Sequence, residues 1–266
     1  MNTVPLEERK RGKVALGMLE RYTGSKPEEF FPSILLTNFD YYFNAFSDNY
    51  QVRRKRGSVM EVAHAVSEKI SMINFRMGAP TAGLVIDILS YINPRAVLML
   101  GMCGGLHPKV QRGEFILPMA AIRNEGTSSF YMPKDVPALP TFRIQKILSE
   151  VLGRMDIPYK TGVVHSTDYR FWEFDAEFRE RLRRERAIAI EMECSTLFVA
   201  GFRRKAPIGA LLLVSDLPLK KGGIKSHKSS EWVFKKYSGD HLEAGFRTLK
   251  VIQSHKGGIN LRQFQW

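Results

Sequence analysis

The stretch "KISMINFRMGAPTAGLVIDILSYINPRAVLMLG", residues 69–101, decides the fold class. Residues 69–80 are an apolar run that ends at a glycine and a proline, as a strand followed by a turn does. Residues 81–91 carry apolar side chains at helical spacing, and Pro94 stops that helix before a second apolar run at residues 95–101. A strand, a helix and a strand within about 30 residues have the size of a right-handed parallel crossover. The stretch therefore predicts an α/β fold.

Further apolar runs extend this pattern along the chain, at residues 33–39, 114–122, 161–166, 187–191 and 208–214. Several of them lack alternation, which is typical of strands that helices cover on both faces. Covering helices are predicted at residues 141–152, 173–186, 193–204 and 229–253. We therefore expect a three-layer α/β/α fold with a central mixed sheet, formed by residues 31–266. Residues 1–30 are predicted to be an N-terminal helical extension whose helix ends at Gly24.

The composition excludes several classes of protein. No apolar run approaches the roughly 18 to 20 residues that span a bilayer, and the charged N-terminus is unlike a signal peptide. We therefore expect a cytoplasmic protein without a membrane partner. The two cysteines, Cys103 and Cys194, lack the paired spacing of a zinc or redox motif, so we expect free thiols and no metal.

The net charge of +13 indicates a surface that attracts anions, from a phosphorylated metabolite to nucleic acid. The surplus lies in basic clusters at residues 53–56, 179–186 and 203–205. A surface that binds single-stranded nucleic acid needs aromatic side chains between the basic ones, and these clusters contain none. Nucleic acid is therefore an unexpected partner, and a solvated basic face without a specific partner remains the alternative.

Ligands of open α/β sheets bind at the carboxyl ends of the strands. Glycines 101, 104 and 105 follow one predicted strand and would let the backbone approach a ligand, although they also suit a tight turn. Their spacing matches neither the dinucleotide fingerprint nor the phosphate loop, so NAD and ATP are not supported and no cofactor is expected.

Carboxylates at two other strand ends are the candidate chemical groups. Asp216 in "LLLVSDLP" (211–218) is either a partly desolvated general acid or a turn residue that caps backbone amides. Glu191 and Glu193 follow the strand in "IAIEMECSTLF" (188–198). If a helix starts near residue 193, Glu193 lies in its first turn, where the helix dipole stabilises a carboxylate, and its role is structural. The functional alternative is a carboxylate that accepts hydrogen bonds from a sugar diol.

Taken together, five segments resemble the nucleoside phosphorylase and nucleosidase superfamily over roughly residues 33–250: "MGAP" (77–80), "GMCGG" (101–105), "RGEFILP" (112–118), "IEMECST" (190–196) and "VSDLP" (214–218). Within it, the chain is most similar to a short form of the AMP nucleosidases. The markers of that similarity are "ILLTNF" (34–39), "CGGL" (103–106), "STDYRFWE" (166–173), "GALLLVSDLPL" (209–219), "DHLEAGF" (240–246) and "NLRQF" (260–264).

The resemblance implies hydrolysis of AMP to adenine and ribose 5-phosphate by a homo-oligomer, a hexamer or a dimer. It implies that Asp216 acts as the acid at the purine and that Glu193 binds the ribose, with Met192 beneath the sugar. Phe171 or Trp172 would stack on the base, and Arg170 and Lys225 are candidates for the 5′-phosphate. The remaining predicted substrate-binding residues are Asn38, Gly78, Gly101, Met102, Cys103, Gly104 and Ser215.

One departure from the superfamily pattern bears on the nucleophile. Relatives that use inorganic phosphate have a pattern like "R-V-G-S-C-G" at the glycine segment. This chain has "MLGMCG" there, so Met99 and Met102 stand where the pattern has the polar residues Arg and Ser. A thioether cannot donate a hydrogen bond to phosphate. We therefore expect water to attack, oriented by Asn38. The alternatives are a purine nucleoside phosphorylase or another nucleosidase on the same fold and, more distantly, a non-catalytic nucleotide- or RNA-binding protein.

Overall fold

The structure is a computed structural model that describes residues 6–224 and 227–255. Lys225 and the segment "NLRQF" at 260–264 lie outside the described residues. The strands are β1 (Ser33–Thr37), β2 (Arg54–Arg56), β3 (Glu61–Ala65), β4 (Ile70–Asn74), β5 (Ala96–Gly105), β6 (Phe115–Asn124), β7 (Tyr159–Thr167), β8 (Ala189–Glu191) and β9 (Ile208–Asp216). The α-helices are α1 (Leu6–Thr23), α2 (Asp40–Asn49), α3 (Ala79–Leu89), α4 (Phe142–Arg154), α5 (Ala176–Glu185), α6 (Cys194–Arg204) and α7 (His227–Ser254).

The nine strands form one mixed sheet in the order β2-β3-β4-β1-β5-β8-β7-β6-β9. The crossover predicted at residues 69–101 is β4-α3-β5, and its two strands lie on either side of β1, both parallel to it. Apolar side chains of α1, α3 and α6 join the core on one face of the sheet. Those of α2, α4 and α7 join the core on the other face. The predicted three-layer α/β/α class with a mixed sheet is therefore confirmed.

The sheet is not open along its whole width, which the sequence did not indicate. β5 pairs with β8 near its carboxyl end and with β9 along most of its length, so β5, β8, β7, β6 and β9 form a closed circuit. This closure depends on β5 continuing through Gly104 and Gly105, where the sequence suggested a loop. A Cβ at Gly105 would lie 2.6 Å from Val110 and one at Gly104 3.0 Å from Pro218, so only glycine fits without a shift.

Helix α1 packs on the sheet domain through its last turns. The side chain of Leu19 is fully buried in the same core cluster as Ile34. The carbonyl of Tyr22 accepts a 2.8 Å hydrogen bond from the Met60 amide. Gly24, in the left-handed region at φ 73°, follows the helix as predicted. The boundary near residue 30 between extension and domain stays a prediction. No helix within the described residues has the length and apolarity needed to cross a membrane.

Candidate active site

A cavity of about 220 Å³ opens where several strands end. The carboxyl ends of β5, β7, β8 and β9 and the loop after β1 supply its walls, so the predicted strand ends do meet in space. The lining residues are Asn38, Phe39, Met77, Met102, Cys103, Gly104, Thr167, Tyr169, Arg170, Trp172, Glu173, Ile190, Glu191, Met192, Glu193, Ser215 and Asp216.

The two glutamates of the β8–α6 junction have different contacts. The Oε2 atom of Glu191 accepts hydrogen bonds of 2.7 Å from the backbone amides of Glu193, the N-cap of α6, and Cys194, its first residue. Its Oε1 atom accepts a hydrogen bond from the Ser166 hydroxyl. Glu191 therefore satisfies the amides at the start of α6, which is the structural role the sequence left open for Glu193.

Glu193 is the N-cap residue of α6, but its side chain does not cap the helix. Its Oε1 accepts a 2.8 Å hydrogen bond from the Gly78 amide, and the Asn38 side chain donates another hydrogen bond to the carboxylate. Burial, reinforced by the nearby charge of Glu191, raises the pKa of Glu193 to about 8. At neutral pH, Glu193 therefore carries a proton for most of the time.

The raised pKa of Glu193 predicts that the protein loses stability as the pH rises. The folded protein holds this proton up to about pH 8, whereas a glutamate in the unfolded chain loses it near 4.5. Between these values the folded state binds more protons than the unfolded state, so the free energy of unfolding falls with rising pH. Urea unfolding of the wild type and of Glu193→Gln between pH 5 and 9 measures this fall, which the variant should lack. If the free energy of unfolding changed with pH equally in the two proteins, the raised pKa of Glu193 would be contradicted.

Asp216 ends β9 opposite Gly104 of β5 and is buried, with 6 % of its surface exposed. Its Oδ1 accepts a hydrogen bond from the hydroxyl of Ser215, which also lies 3.3 Å from the Cys103 carbonyl oxygen. Asp216 thus lines the cavity from the end of β9, while Glu193 lines it from the β8–α6 junction. The structure brings together the two residues on which the predicted chemistry depends.

The loop after β7 forms the aromatic part of the cavity wall. Trp172 is almost fully buried and lines the cavity, whereas Phe171 is 70 % exposed and is not a lining residue. The Nη1 atom of Arg170 donates a 2.9 Å hydrogen bond to Oε1 of Glu173. The Arg170 side chain is half exposed, while that of Glu173 is buried. Of the two aromatic candidates, Trp172 is therefore the one that can contact a ligand here.

Ten of the predicted site residues line the cavity: Asn38, Met102, Cys103, Gly104, Arg170, Trp172, Met192, Glu193, Ser215 and Asp216. Gly78 does not line the cavity, but its amide donates a hydrogen bond to Glu193, which does. Gly101 lies within β5 against Met99 and Leu212, and Met99 is fully buried in the core. Phe171 does not line the cavity, and Lys225 lies outside the described residues.

Sequence reasoning missed several lining residues, including Phe39, Tyr169 and Glu173. Tyr169 and Glu173 belong to the quoted segment "STDYRFWE", so a signal for them was present without an assigned role. Over the ranges 6–224 and 227–255, no group of three or more His, Cys, Asp or Glu side chains is placed to hold a metal ion. Both cysteines are buried free thiols, as predicted.

Comparisons with known proteins show which family this sequence and fold resemble. Residues 34–248 match the sequence profile of the phosphorylase superfamily. The AMP nucleosidase of Escherichia coli (strain K12) is 26% identical over 96% of this chain, which spans 62% of that relative's length. The uridine phosphorylase of Treponema pallidum is 27% identical over 64% of this chain and 69% of its own.

Among solved structures, the AMP nucleosidase of Bacteroides thetaiotaomicron superposes with a TM-score of 0.83. It is 36% identical in sequence, and the match covers 93% of this chain and all of that one. A uridine phosphorylase from Vibrio fischeri superposes with a TM-score of 0.76 at 20% identity, over 85% of this chain and 93% of that one. The second likeness concerns the fold alone.

Proposed function

The chain belongs to the phosphorylase superfamily, and on that premise we propose that it hydrolyses the N-glycosidic bond of AMP to adenine and ribose 5-phosphate. The observation that carries this proposal is the meeting of the Asp216 and Glu193 carboxyl groups in one cavity. The similarity to AMP nucleosidases over nearly the whole chain supports AMP as the substrate.

The two carboxyl groups suit the two charges that develop when this bond breaks. Positive charge grows on the ribose and negative charge on the leaving purine, so an acid at the purine and an electron-rich partner at the sugar both lower the barrier. Asp216 is the acid that protonates the purine, at N7. Glu193, in its ionised form, accepts hydrogen bonds from the ribose hydroxyls and stabilises the positive charge.

The neighbouring side chains divide the cavity into a sugar end and a base end. Met192 lies between the two glutamates in sequence and lines the sugar end. Trp172 offers its ring to the base, since buried aromatic rings pack well against purines. Arg170 is the candidate for the 5′-phosphate that lies within the described residues. Its guanidinium has N–H groups beyond the one that contacts Glu173.

Water is the proposed nucleophile because Met102 lines the cavity. In the pattern of the relatives that use phosphate, a polar residue stands at this position. The sulfur of Met102 cannot donate a hydrogen bond to a phosphate ion. Asn38 is placed to orient the water, because its Oδ1 atom is buried without a hydrogen-bond donor among the described residues. That oxygen can accept a hydrogen bond from the water while the amide nitrogen contacts Glu193.

Substrate discrimination tests this proposal. The protein is incubated with AMP or with adenosine, each with and without inorganic phosphate, and the products are separated by chromatography. We expect adenine from AMP at the same rate with and without phosphate. Adenine from adenosine only when phosphate is present would instead identify a nucleoside phosphorylase, and no turnover combined with tight RNA binding would identify a binding protein.

We also propose that the protein acts as a homo-oligomer, a hexamer or a dimer, in the cytoplasm. Large apolar side chains near the cavity support an interface, since Met77 is 61% exposed and Phe174 is 77% exposed. The two free thiols suit a reducing compartment. Light scattering coupled to size exclusion measures the oligomeric state, and a monomer at micromolar concentration would contradict the first part.

A further inference from the structure

Glu173 is a buried carboxylate in the cavity wall that the proposed reaction does not use. Its side chain is 5% exposed, and Arg170 donates one hydrogen bond to Oε1. The Oε2 atom is buried without a hydrogen-bond donor among the described residues. A carboxylate has about four acceptor positions, and buried polar atoms in folded proteins almost always have a partner. Glu173 therefore presents unused acceptor capacity at the cavity.

The place of Glu173 in the loop assigns it to the base end. It follows Trp172 in the same 3₁₀ turn, Trp172–Phe174, and both side chains line the cavity. The sugar end was assigned above to Met192 and Glu193, which line the cavity from the β8–α6 junction. A ligand that packs its base on Trp172 therefore brings the edge of that base toward the Glu173 carboxylate.

AMP offers few hydrogen-bond donors that could satisfy such an acceptor. The ring nitrogens of adenine are acceptors, and the exocyclic 6-amino group is the donor of the base. The other donors are the two ribose hydroxyls, which are assigned to Glu193. A 6-oxo purine presents at position 6 an oxygen acceptor, which a carboxylate repels, and its donor on that edge moves to the neighbouring ring position, N1–H.

We propose that Glu173 selects 6-amino purines by accepting a hydrogen bond from the 6-amino group of the base. Arg170 holds the carboxylate in position through Oε1, which leaves Oε2 as the acceptor for the base. This inference rests on the proposed function, but it places Arg170, named above as the candidate for the 5′-phosphate, beside the base as the partner of Glu173. It deepens that function by naming the residue that separates AMP from nucleotides with a 6-oxo base.

Glu173→Gln is the informative substitution because the geometry fixes which way its amide points. Arg170 has only donors to offer, so the amide oxygen must face Arg170. The amide nitrogen then faces the base, where it opposes the 6-amino group of AMP and can donate to the 6-oxygen of IMP. If Glu173 only held Arg170 in place, the Glu173→Gln substitution would leave the preference between AMP and IMP unchanged.

The experiment measures kcat/KM for AMP and for IMP with the wild type, Glu173→Gln and the matched control Glu177→Gln, an exposed acid of the following helix. We expect the wild type and the control to prefer AMP, and the ratio of AMP to IMP to shift toward IMP by about 100-fold in Glu173→Gln. An unchanged ratio in Glu173→Gln, or equal use of AMP and IMP by the wild type, would overturn the inference.

A second measurement is independent of how well the variant turns over. Purine riboside 5′-monophosphate, which lacks the 6-amino group, is compared with AMP as a competing ligand for both proteins. Loss of the amino group should weaken binding to the wild type about 10-fold or more and leave binding to Glu173→Gln nearly unchanged, as expected when two groups interact directly. Equal losses in both proteins would overturn the inference. If the wild type releases no adenine from AMP at all, the proposed function itself fails.

Discussion

Replacing Asp216 by Asn should lower kcat for AMP by about 10³-fold, since a positioned general acid contributes roughly 10² to 10⁴. The amide keeps the size of the carboxyl group and can still accept the hydrogen bond from Ser215, so the end of β9 should keep its packing. What the variant loses is the proton for the departing purine. Steady-state kinetics with adenine detection measures the loss.

Asp135→Asn, an exposed change outside the cavity, serves as the matched control and should keep the wild-type kcat. Thermal unfolding of both variants verifies that the fold is intact. Wild-type turnover in Asp216→Asn would remove this residue from the mechanism.

Replacing Glu193 by Gln should lower kcat/KM for AMP by about 100-fold above pH 8 and should remove its rise with pH. The wild type needs the ionised carboxylate at the ribose, and the pKa of Glu193 is raised to about 8 by burial. Its kcat/KM should therefore increase as the pH passes through this value. Glutamine mimics the protonated form at every pH and cannot show that increase.

The same group thus links activity and stability in opposite directions. Ionisation of Glu193 activates the site and destabilises the folded protein, because the buried charge lies beside Glu191. Glu150→Gln, an exposed change on α4, controls for a general effect of lost charge and should retain the rise. A variant at position 193 that keeps the wild-type pH profile would contradict the role of its carboxylate.

The parts of the fold that the sequence predicted are the long periodic segments. The unit β4-α3-β5 was readable because apolar spacing and Pro94 mark its limits. Helix α2 was missed because residues 40–49 are rich in aromatic residues, Asn and Asp, which have weak helix propensity. The helix forms because Tyr42 and Phe46 are fully buried against the sheet. Tertiary packing, which no local pattern records, decides that segment.

The edge hairpin β2–β3 was missed for a different reason. Residues 54–56 are all basic and were interpreted as a charged surface cluster. Charged residues are also what protects an exposed edge strand from pairing with another chain. The same sequence therefore suits both descriptions, and only the pairing with β3 distinguishes them.

The sequence predicted which strand-end residues form the site, but it did not predict the separate contact that each of them makes. Asp216 and Glu193 meet because β5 pairs at Gly104 with the ends of both strands, with Asp216 of the parallel β9 and with Ile190 of the antiparallel β8. The carboxylate of Glu191, and not that of Glu193, accepts the hydrogen bonds of the amides at the start of α6, which the sequence alone does not show. The burial of Glu173 depends on how a short 3₁₀ turn folds over the cavity, which its sequence does not reveal.

The identity of the sugar product tests hydrolysis of AMP most directly. AMP is supplied in phosphate-free buffer and then in buffer with a saturating concentration of inorganic phosphate, and the sugar product is identified by mass spectrometry. Attack by water predicts ribose 5-phosphate in both buffers at equal rates. Formation of ribose 1,5-bisphosphate, with turnover that depends on added phosphate, would contradict it.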